Sequence, residues 1–138
     1  MVTKIFLDTN IVADIMDASR DGHKRAMEFL EYLILHDYGI CISEDMLTTL
    51  FYISKDKKAV LQFFENVVFI DWEVLIFGLE TIKVATSLSL KNNLDLEDML
   101  QCLCAKENGC EAVITNDKGF CDCGINVFAV EAFLKQRP

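Results

Sequence analysis

Lys4-Ile5-Phe6-Leu7-Asp8-Thr9-Asn10 is the stretch that decides the fold of this chain. The apolar run near its start passes directly into three polar residues, and a helix-like spacing of apolar residues follows at once. An unbroken apolar run between polar residues is typical of a strand buried on both faces of a parallel sheet. Thr9 or Asn10 can cap the following helix. The stretch therefore predicts that Asp8 lies at the carboxyl end of a strand, where open α/β sheets bind their ligands.

Strand-like and helix-like segments alternate along the rest of the chain. The spacing predicts strands at residues 3–7, 40–42, 67–70, 112–115 and 126–128, with helices between them. Strands separated by helices imply a parallel sheet covered by helices. No linker, internal repeat or low-complexity tract interrupts the pattern. We predict an α/β fold with three α/β/α layers, a parallel sheet of four to five strands, and a single domain over residues 1–138.

Composition limits the class of protein. Hydrophobic residues make up 52% of the chain and charged residues 25%, as in globular proteins. No apolar run approaches the roughly 18 residues that a membrane span needs, and the short first strand is not a signal peptide. We therefore expect a cytoplasmic protein with no membrane association. In that compartment the six cysteines are expected to be thiols and not bridges.

The acidic balance of the chain bears on its partners. A net charge of −9 argues against broad electrostatic attraction to nucleic acid. It does not exclude a nuclease, whose acidic centre can recruit cations before it meets phosphate. The apolar segments between Phe51 and Phe77 are expected to leave an exposed patch, so a two-fold homodimer is predicted.

Three aspartates occupy positions where acidic ligands could converge. Asp8 ends the first predicted strand, Asp117 follows the fourth, and Asp98 opens a helix with Glu97 beside it. A hard cation such as Mg2+ or Mn2+ prefers oxygen ligands, which two or three carboxylates at a sheet edge supply. Each acid also has an ordinary explanation: a helix cap for Asp8, a helix-start acid for Asp98, and a turn residue for Asp117.

Three segments together resemble a known family. Leu7-Asp8-Thr9-Asn10, Leu96-Glu97-Asp98-Met99-Leu100-Gln101 and Ile114-Thr115-Asn116-Asp117-Lys118-Gly119-Phe120 are similar to segments of the PIN-domain (PilT-N-like) ribonucleases. The similarity is strongest to the single-domain bacterial branch that includes VapC-like toxins. It spans essentially the whole chain, in order.

The resemblance implies a fold and a site. The implied strand order is 3-2-1-4-5, which makes Asp8 and Asp117 neighbours. Asp8, Asp98 and Asp117 would be the catalytic residues and would hold Mg2+ or Mn2+. The residues expected to orient these carboxylates or bound water are Thr9, Asn10, Thr49, Thr115 and Glu97.

One position departs from the family pattern. Many relatives carry a second acid about six residues after the second strand, and Thr49 stands there in this chain. Thr49 could hold a metal-bound water but brings no charge. Glu44, at the end of the second strand, is the alternative acid, although a solvated position in the first turn of a helix is the simpler expectation for it.

Three functions remain open at the level of sequence. The resemblance implies a metal-dependent endoribonuclease, the toxin of a type II toxin–antitoxin pair, with RNA as substrate and a small antitoxin as partner. The missing acid at Thr49 leaves open a catalytically weak PIN-like module that binds RNA or protein. A third alternative is another Asp-centred α/β hydrolase of the phosphatase type, although that class needs a second aspartate where Asn10 stands. A receiver domain is disfavoured because Lys118 is misplaced for it.

Overall fold

A computed structural model describes residues 2–136, so the outermost residues of the predicted 1–138 domain lie outside the described part. Its sheet contains β1 (Lys4–Leu7), β2 (Gly39–Ser43), β3 (Glu73–Leu75), β4 (Ala112–Ile114) and β5 (Asn126–Phe128). The strands lie in the order β3-β2-β1-β4-β5, and every neighbouring pair is parallel. The predicted α/β class and strand order are confirmed.

Helices connect the strands along the chain. They are α1 (Thr9–Met16), α2 (His23–Leu35), α3 (Glu44–Ile53), α4 (Lys57–Phe63), the short α5 (Phe69–Asp71), α6 (Leu79–Asn92), α7 (Leu96–Glu107) and α8 (Val130–Gln136), with a π-helical turn at Phe64–Val68 between α4 and α5. Helix α1 packs against α2, and α6 packs against α7. None of the helices over residues 2–136 is both long and apolar enough to cross a bilayer.

The first strand lies at the centre of the sheet because its side chains are apolar on both faces. Ile5, Phe6 and Leu7 are completely buried, and β1 pairs with β2 on one side and β4 on the other. The pairing with β4 continues one residue further, where the backbone N–H of Asp8 donates to the carbonyl of Ile114 at 3.0 Å. Asp8 is thereby fixed beside the end of β4, at the point where the strand order reverses.

The predicted strand at residues 67–70 is wrong. These residues are helical, and the third strand begins later, at Glu73. Val68 is buried while Phe69 and Ile70 are exposed, so this apolar run does not lie in the sheet. A run of four apolar residues fits the end of a helix as well as a strand, and periodicity cannot separate the two. The strand that pairs with β2 is the shorter Glu73–Leu75, in register with Cys41–Ser43.

The cysteines are not all thiols, contrary to the expectation from compartment. Cys102 on α7 forms a disulfide with Cys123, 21 residues later in the loop before β5. The free cysteines among the described residues are the buried Cys41, Cys104, Cys110 and Cys121. Spacing along the sequence could not show this pair, because the contact is made by the folding of the β4–β5 loop onto α7.

Candidate active site at the carboxyl edge of the sheet

Asp8 is a buried carboxylate held by neutral donors. Its side chain is the N-cap of α1, with Oδ1 accepting a hydrogen bond from the N–H of Thr9 at 2.7 Å. Its Oδ2 accepts from the hydroxyl of Thr115 at 2.7 Å. Burial is the main cause of a raised pKa for Asp8; the two hydrogen bonds oppose that rise, and the charges of Asp117 and Asp95 add to it. No cation is paired with Asp8 among the ion pairs of residues 2–136.

Asp117 and Asp98 reach the same edge from different elements. Asp117 follows β4, where its N–H donates to the Thr115 hydroxyl at 3.0 Å and its Oδ1 accepts from the N–H of Gly119 at 2.9 Å. Asp98 lies in the first turn of α7, with its N–H donating to the N-cap carboxylate of Asp95 at 3.0 Å. The sheet order and α7 thus bring the three predicted acids to one region, at its β1–β4 edge.

The pKa of Asp98 is raised by its burial and by the negative charges of its neighbours. Burial and, after it, the charges of Asp95, Asp8, Asp117 and Glu97 raise the pKa of Asp98 to about 7. Neighbouring carboxylates that raise the pKa of Asp98 are close enough to repel its charged form. An oxygen-only set of acids with excess negative charge fits a hard divalent cation. Within residues 2–136, however, no three His, Cys, Asp or Glu side chains lie close enough to form a ready metal-binding group.

Glu97 also faces this region, and both of its oxygens contact threonines. Its Oε2 accepts a hydrogen bond from the Thr49 hydroxyl at 3.0 Å, and its Oε1 lies 3.5 Å from the Thr9 hydroxyl. Burial is the first cause of a raised pKa for Glu97, and the Thr49 hydrogen bond opposes it. Thr49 therefore contacts an acid on another helix, which a linear reading of α3 did not anticipate.

Gln101 ends one of the three family-like segments, and the sequence alone predicts no functional role for it. Its side chain is completely buried, and its amide Nε2 donates to the Thr9 hydroxyl at 3.0 Å. The spacing offered a signal, because Gln101 lies one turn beyond Glu97 and so on the same face of α7. The signal is a polar amide between Leu100 and Cys102, on the side of the helix that faces the core.

Two predicted residues do not reach the acids. Asn10 is exposed in the first turn of α1 and makes no hydrogen bond to them in the described part of the chain. Glu44 is exposed in the first turn of α3, and its Oε1 accepts from the N–H of Phe77 at 3.4 Å. Glu44 thus connects α3 to the segment after β3 and lies outside the cluster of acids.

The family follows from comparison with known proteins. The model of the PIN domain matches residues 5–125. The chain belongs to the PIN-domain family. Ribonuclease VapC1 of Aquifex aeolicus is 36% identical over 137 residues, which are 96% of this chain and 94% of that protein. The family resemblance drawn from the three sequence segments is confirmed.

Solved structures share the fold of this chain at low sequence identity. VapC20 of Mycobacterium tuberculosis, described as a sarcin-ricin loop cleaving toxin, superposes with a TM-score of 0.70 at 16% identity, over 88% of this chain and 95% of that one. VapBC2 of Rickettsia felis, bound to a promoter DNA fragment, gives 0.67 at 19% identity, over 91% and 97%. A toxin–antitoxin complex from Klebsiella pneumoniae gives 0.67 at 18% identity, over 91% and 97%.

The raised pKa of Asp98 predicts how stability depends on pH when no divalent cation is present. An unfolded aspartate has a pKa of about 3.9, whereas folding raises the pKa of Asp98 to about 7. Between these values the folded state binds a proton that the unfolded state has lost, so stability falls as pH rises through this window. With a chelator present, Asp98→Asn should raise the free energy of unfolding at pH 8 by about 1–2 kcal/mol after discounting for solvent screening.

Urea unfolding at pH 4 and pH 8 measures this effect. The advantage of Asp98→Asn should nearly disappear at pH 4, where the wild-type carboxyl is protonated in the folded state and about half protonated in the unfolded state. Glu80→Gln is the matched control, because it changes an exposed acid in the first turn of another helix, α6, whose charge does not contribute to the raised pKa of Asp98. Equal stability of wild type and Asp98→Asn at pH 8 would show that Asp98 is not destabilised by its neighbours.

Proposed function

We propose that this PIN-domain protein is a divalent-metal-dependent endoribonuclease, the toxin of a type II toxin–antitoxin pair, and that residues 1–138 form one domain. The observation that carries the proposal is the collection of Asp8, Asp98 and Asp117 at the β1–β4 edge of a PIN fold, where the charges of Asp8 and Asp117 help raise the pKa of Asp98. The similarity to a protein named a ribonuclease over almost the whole chain supports the same activity. Family membership removes the phosphatase alternative.

The chain's own residues prepare a site for phosphate chemistry. Asp8, Asp98 and Asp117 would hold Mg2+ or Mn2+, directly or through water. The chemistry that such an ion supplies when bound is activation of water and neutralisation of charge on the phosphoryl oxygens. Thr115 orients Asp8 and the Asp117 backbone at once, because its hydroxyl donates to one and accepts from the other. The N–H of Thr9 donates a hydrogen bond to the other carboxylate oxygen of Asp8, Oδ1.

RNA cleavage in the presence and absence of divalent cation tests the activity. A labelled structured RNA should be cut by the wild type with millimolar Mn2+ or Mg2+ and left intact with a chelator. Glu44→Gln should cleave like the wild type, because Glu44 lies outside the cluster of acids. If the wild type cuts none of a broad set of RNAs but binds one of them or a protein tightly, the binding-module alternative replaces the enzyme.

The proposed partners include an antitoxin and a second copy of the chain. One structural neighbour is described as a toxin–antitoxin complex, which supports a small protein inhibitor here, and a cytoplasmic location accords with such a pair. For self-association, the segments from α3 to α6 expose large apolar side chains: Tyr52, Ile53, Leu61, Phe69, Ile70, Ile76 and Leu79. We infer that these side chains contribute to an exposed apolar surface, which would mark an interaction site.

We expect sedimentation at micromolar concentration to show a dimer. Tyr52→Ser together with Ile70→Ser should shift the population towards monomer, because both side chains are more than two-thirds exposed and contribute little to the core. Ile34→Ser is a control with a similarly exposed side chain on α2. A wild type that sediments only as monomer would remove the dimer from the proposal.

A further inference from the structure

Glu97 contacts the residue that stands in this chain where many relatives carry a second acid. The helix after β2 carries Thr49 at that position, which brings no charge. The Thr49 hydroxyl instead donates to Glu97 Oε2 at 3.0 Å, so the carboxylate of α7 lies against the site on α3 from which an acid is missing. Glu44, the alternative on α3, is exposed and contacts the N–H of Phe77 instead.

The second oxygen of Glu97 faces the residue next to Asp8. Thr9 is buried, and its hydroxyl lies 3.5 Å from Glu97 Oε1. The N–H of the same residue donates to Asp8 Oδ1 at 2.7 Å. Glu97 and Asp8 therefore share Thr9 as a common donor, one through the side chain and the other through the backbone. This arrangement places the two carboxylates around the same helix turn.

Gln101 fixes the direction of the Thr9 hydroxyl. A hydroxyl carries a single hydrogen, and the Gln101 amide donates to its oxygen at 3.0 Å. The Thr9 hydrogen is then free to point at Glu97. The opposite orientation of the amide would accept that hydrogen and take it away from the carboxylate. Gln101 thus acts on Glu97 through Thr9, which makes it a positioning residue.

The cost of keeping Gln101 supports a role beyond packing. Its side chain is completely buried, and its Oε1 has no hydrogen-bond partner among residues 2–136. A buried acceptor without a partner costs roughly 1–3 kcal/mol relative to a paired one. An apolar side chain of similar size would avoid this cost, so packing alone does not explain an amide here.

We propose that Glu97, held by Thr49 and Thr9 and positioned by Gln101, supplies the fourth carboxylate of the site in place of the acid that Thr49 replaces. This proposal rests on the proposed metal-dependent function. It assigns to the chain a set of four acids, Asp8, Glu97, Asp98 and Asp117, drawn from β1, α7 and the β4–β5 loop. The fourth carboxylate then comes from α7 and not from α3, and the hydrogen bond from Thr49 to Glu97 joins the two positions.

Mn2+ binding to the RNA-free protein, measured by calorimetry, tests the proposal without relying on activity. Loss of the carboxylate in Glu97→Gln should raise the Mn2+ dissociation constant by about 10- to 100-fold. Glu44→Gln is the matched control and should bind Mn2+ like the wild type. Circular dichroism and thermal unfolding confirm that each variant is folded. Wild-type affinity in folded Glu97→Gln would overturn the proposal.

A swap of the two side chains gives a sharper result. Thr49→Glu combined with Glu97→Thr keeps a threonine and a carboxylate in contact but returns the acid to α3. This double variant should regain most of the Mn2+ affinity that Glu97→Thr alone loses. If neither the double variant nor Thr49→Glu alone binds Mn2+ more tightly than Glu97→Thr, an acid on α3 cannot replace the acid on α7.

A double-mutant cycle tests Gln101. Gln101→Leu should weaken Mn2+ binding in the wild type but have no further effect in the Glu97→Gln background, because its influence passes through Glu97. A purely structural role would weaken binding equally in both backgrounds, and that outcome would remove Gln101 from the proposal. If Mn2+ binding follows these expectations but the wild type cleaves no RNA, the proposed function fails while the assignment of Glu97 stands.

Discussion

Replacing Asp8 with asparagine is expected to reduce RNA cleavage about 1,000-fold while leaving the fold intact. Loss of one central carboxylate should remove roughly 4 kcal/mol of transition-state stabilisation, because charge neutralisation at a metal site supplies several kcal/mol. Each 1.4 kcal/mol changes the rate about tenfold. The fold should survive because asparagine keeps an oxygen that can accept from the Thr9 N–H and cap α1. Removing a buried charge beside other acids should also relieve repulsion.

The control for Asp8→Asn must separate loss of a ligand from loss of charge. Asp95→Asn removes one negative charge from the same region, since Asp95 raises the pKa of both Asp8 and Asp98. It is an exposed helix cap, and cleavage should change by less than a few-fold. Cleavage rates at saturating Mn2+ provide the measurement, with thermal unfolding to verify the fold. Comparable losses in the two variants would mean that Asp8 acts only through general electrostatics.

Removing the Cys102–Cys123 bridge should lower stability by roughly 3 kcal/mol. Closing a loop of 21 residues restricts the unfolded chain by about that amount in the loop-entropy account. For a domain of this size the change corresponds to a fall in melting temperature of roughly 10 °C. Two observations test it: wild type should lose this stability on addition of reductant, whereas Cys102→Ala combined with Cys123→Ala should not respond to reductant.

Thiol titration of the unfolded, unreduced protein decides whether the bridge is present. Four reactive thiols are expected from the six cysteines, because Cys102 and Cys123 are joined. Six reactive thiols would contradict the bridge directly. The bridge also bears on the site, since it joins the residue next to Gln101 to the loop that carries Asp117. A reducing cytoplasm tends to open such bonds, so the redox state of the purified protein is part of the measurement.

Much of the fold could be predicted because local patterns carried the information. The first strand has apolar side chains on both faces, and Asp8 after it is followed directly by a helix, so both the element and its position could be predicted. The second strand shows the same pattern, and the fourth is also an apolar run that ends in polar residues, although a loop and not a helix follows it. Residues 67–70 misled the prediction because Val68 is buried by tertiary packing while Phe69 and Ile70 face solvent. A short apolar run does not reveal which neighbours will cover it.

By itself the sequence determined the parallel α/β class, the position of Asp8 at a strand end, and the three segments that identify the PIN-domain family. These features depend on residues close together in the chain. Only the tertiary structure decided that Glu97 contacts Thr49, that Gln101 is buried against Thr9, and that Cys102 joins Cys123. Each of these contacts links different elements, or an element and a distant loop. Partners so far apart in sequence are set by how the elements pack, and no local pattern encodes them.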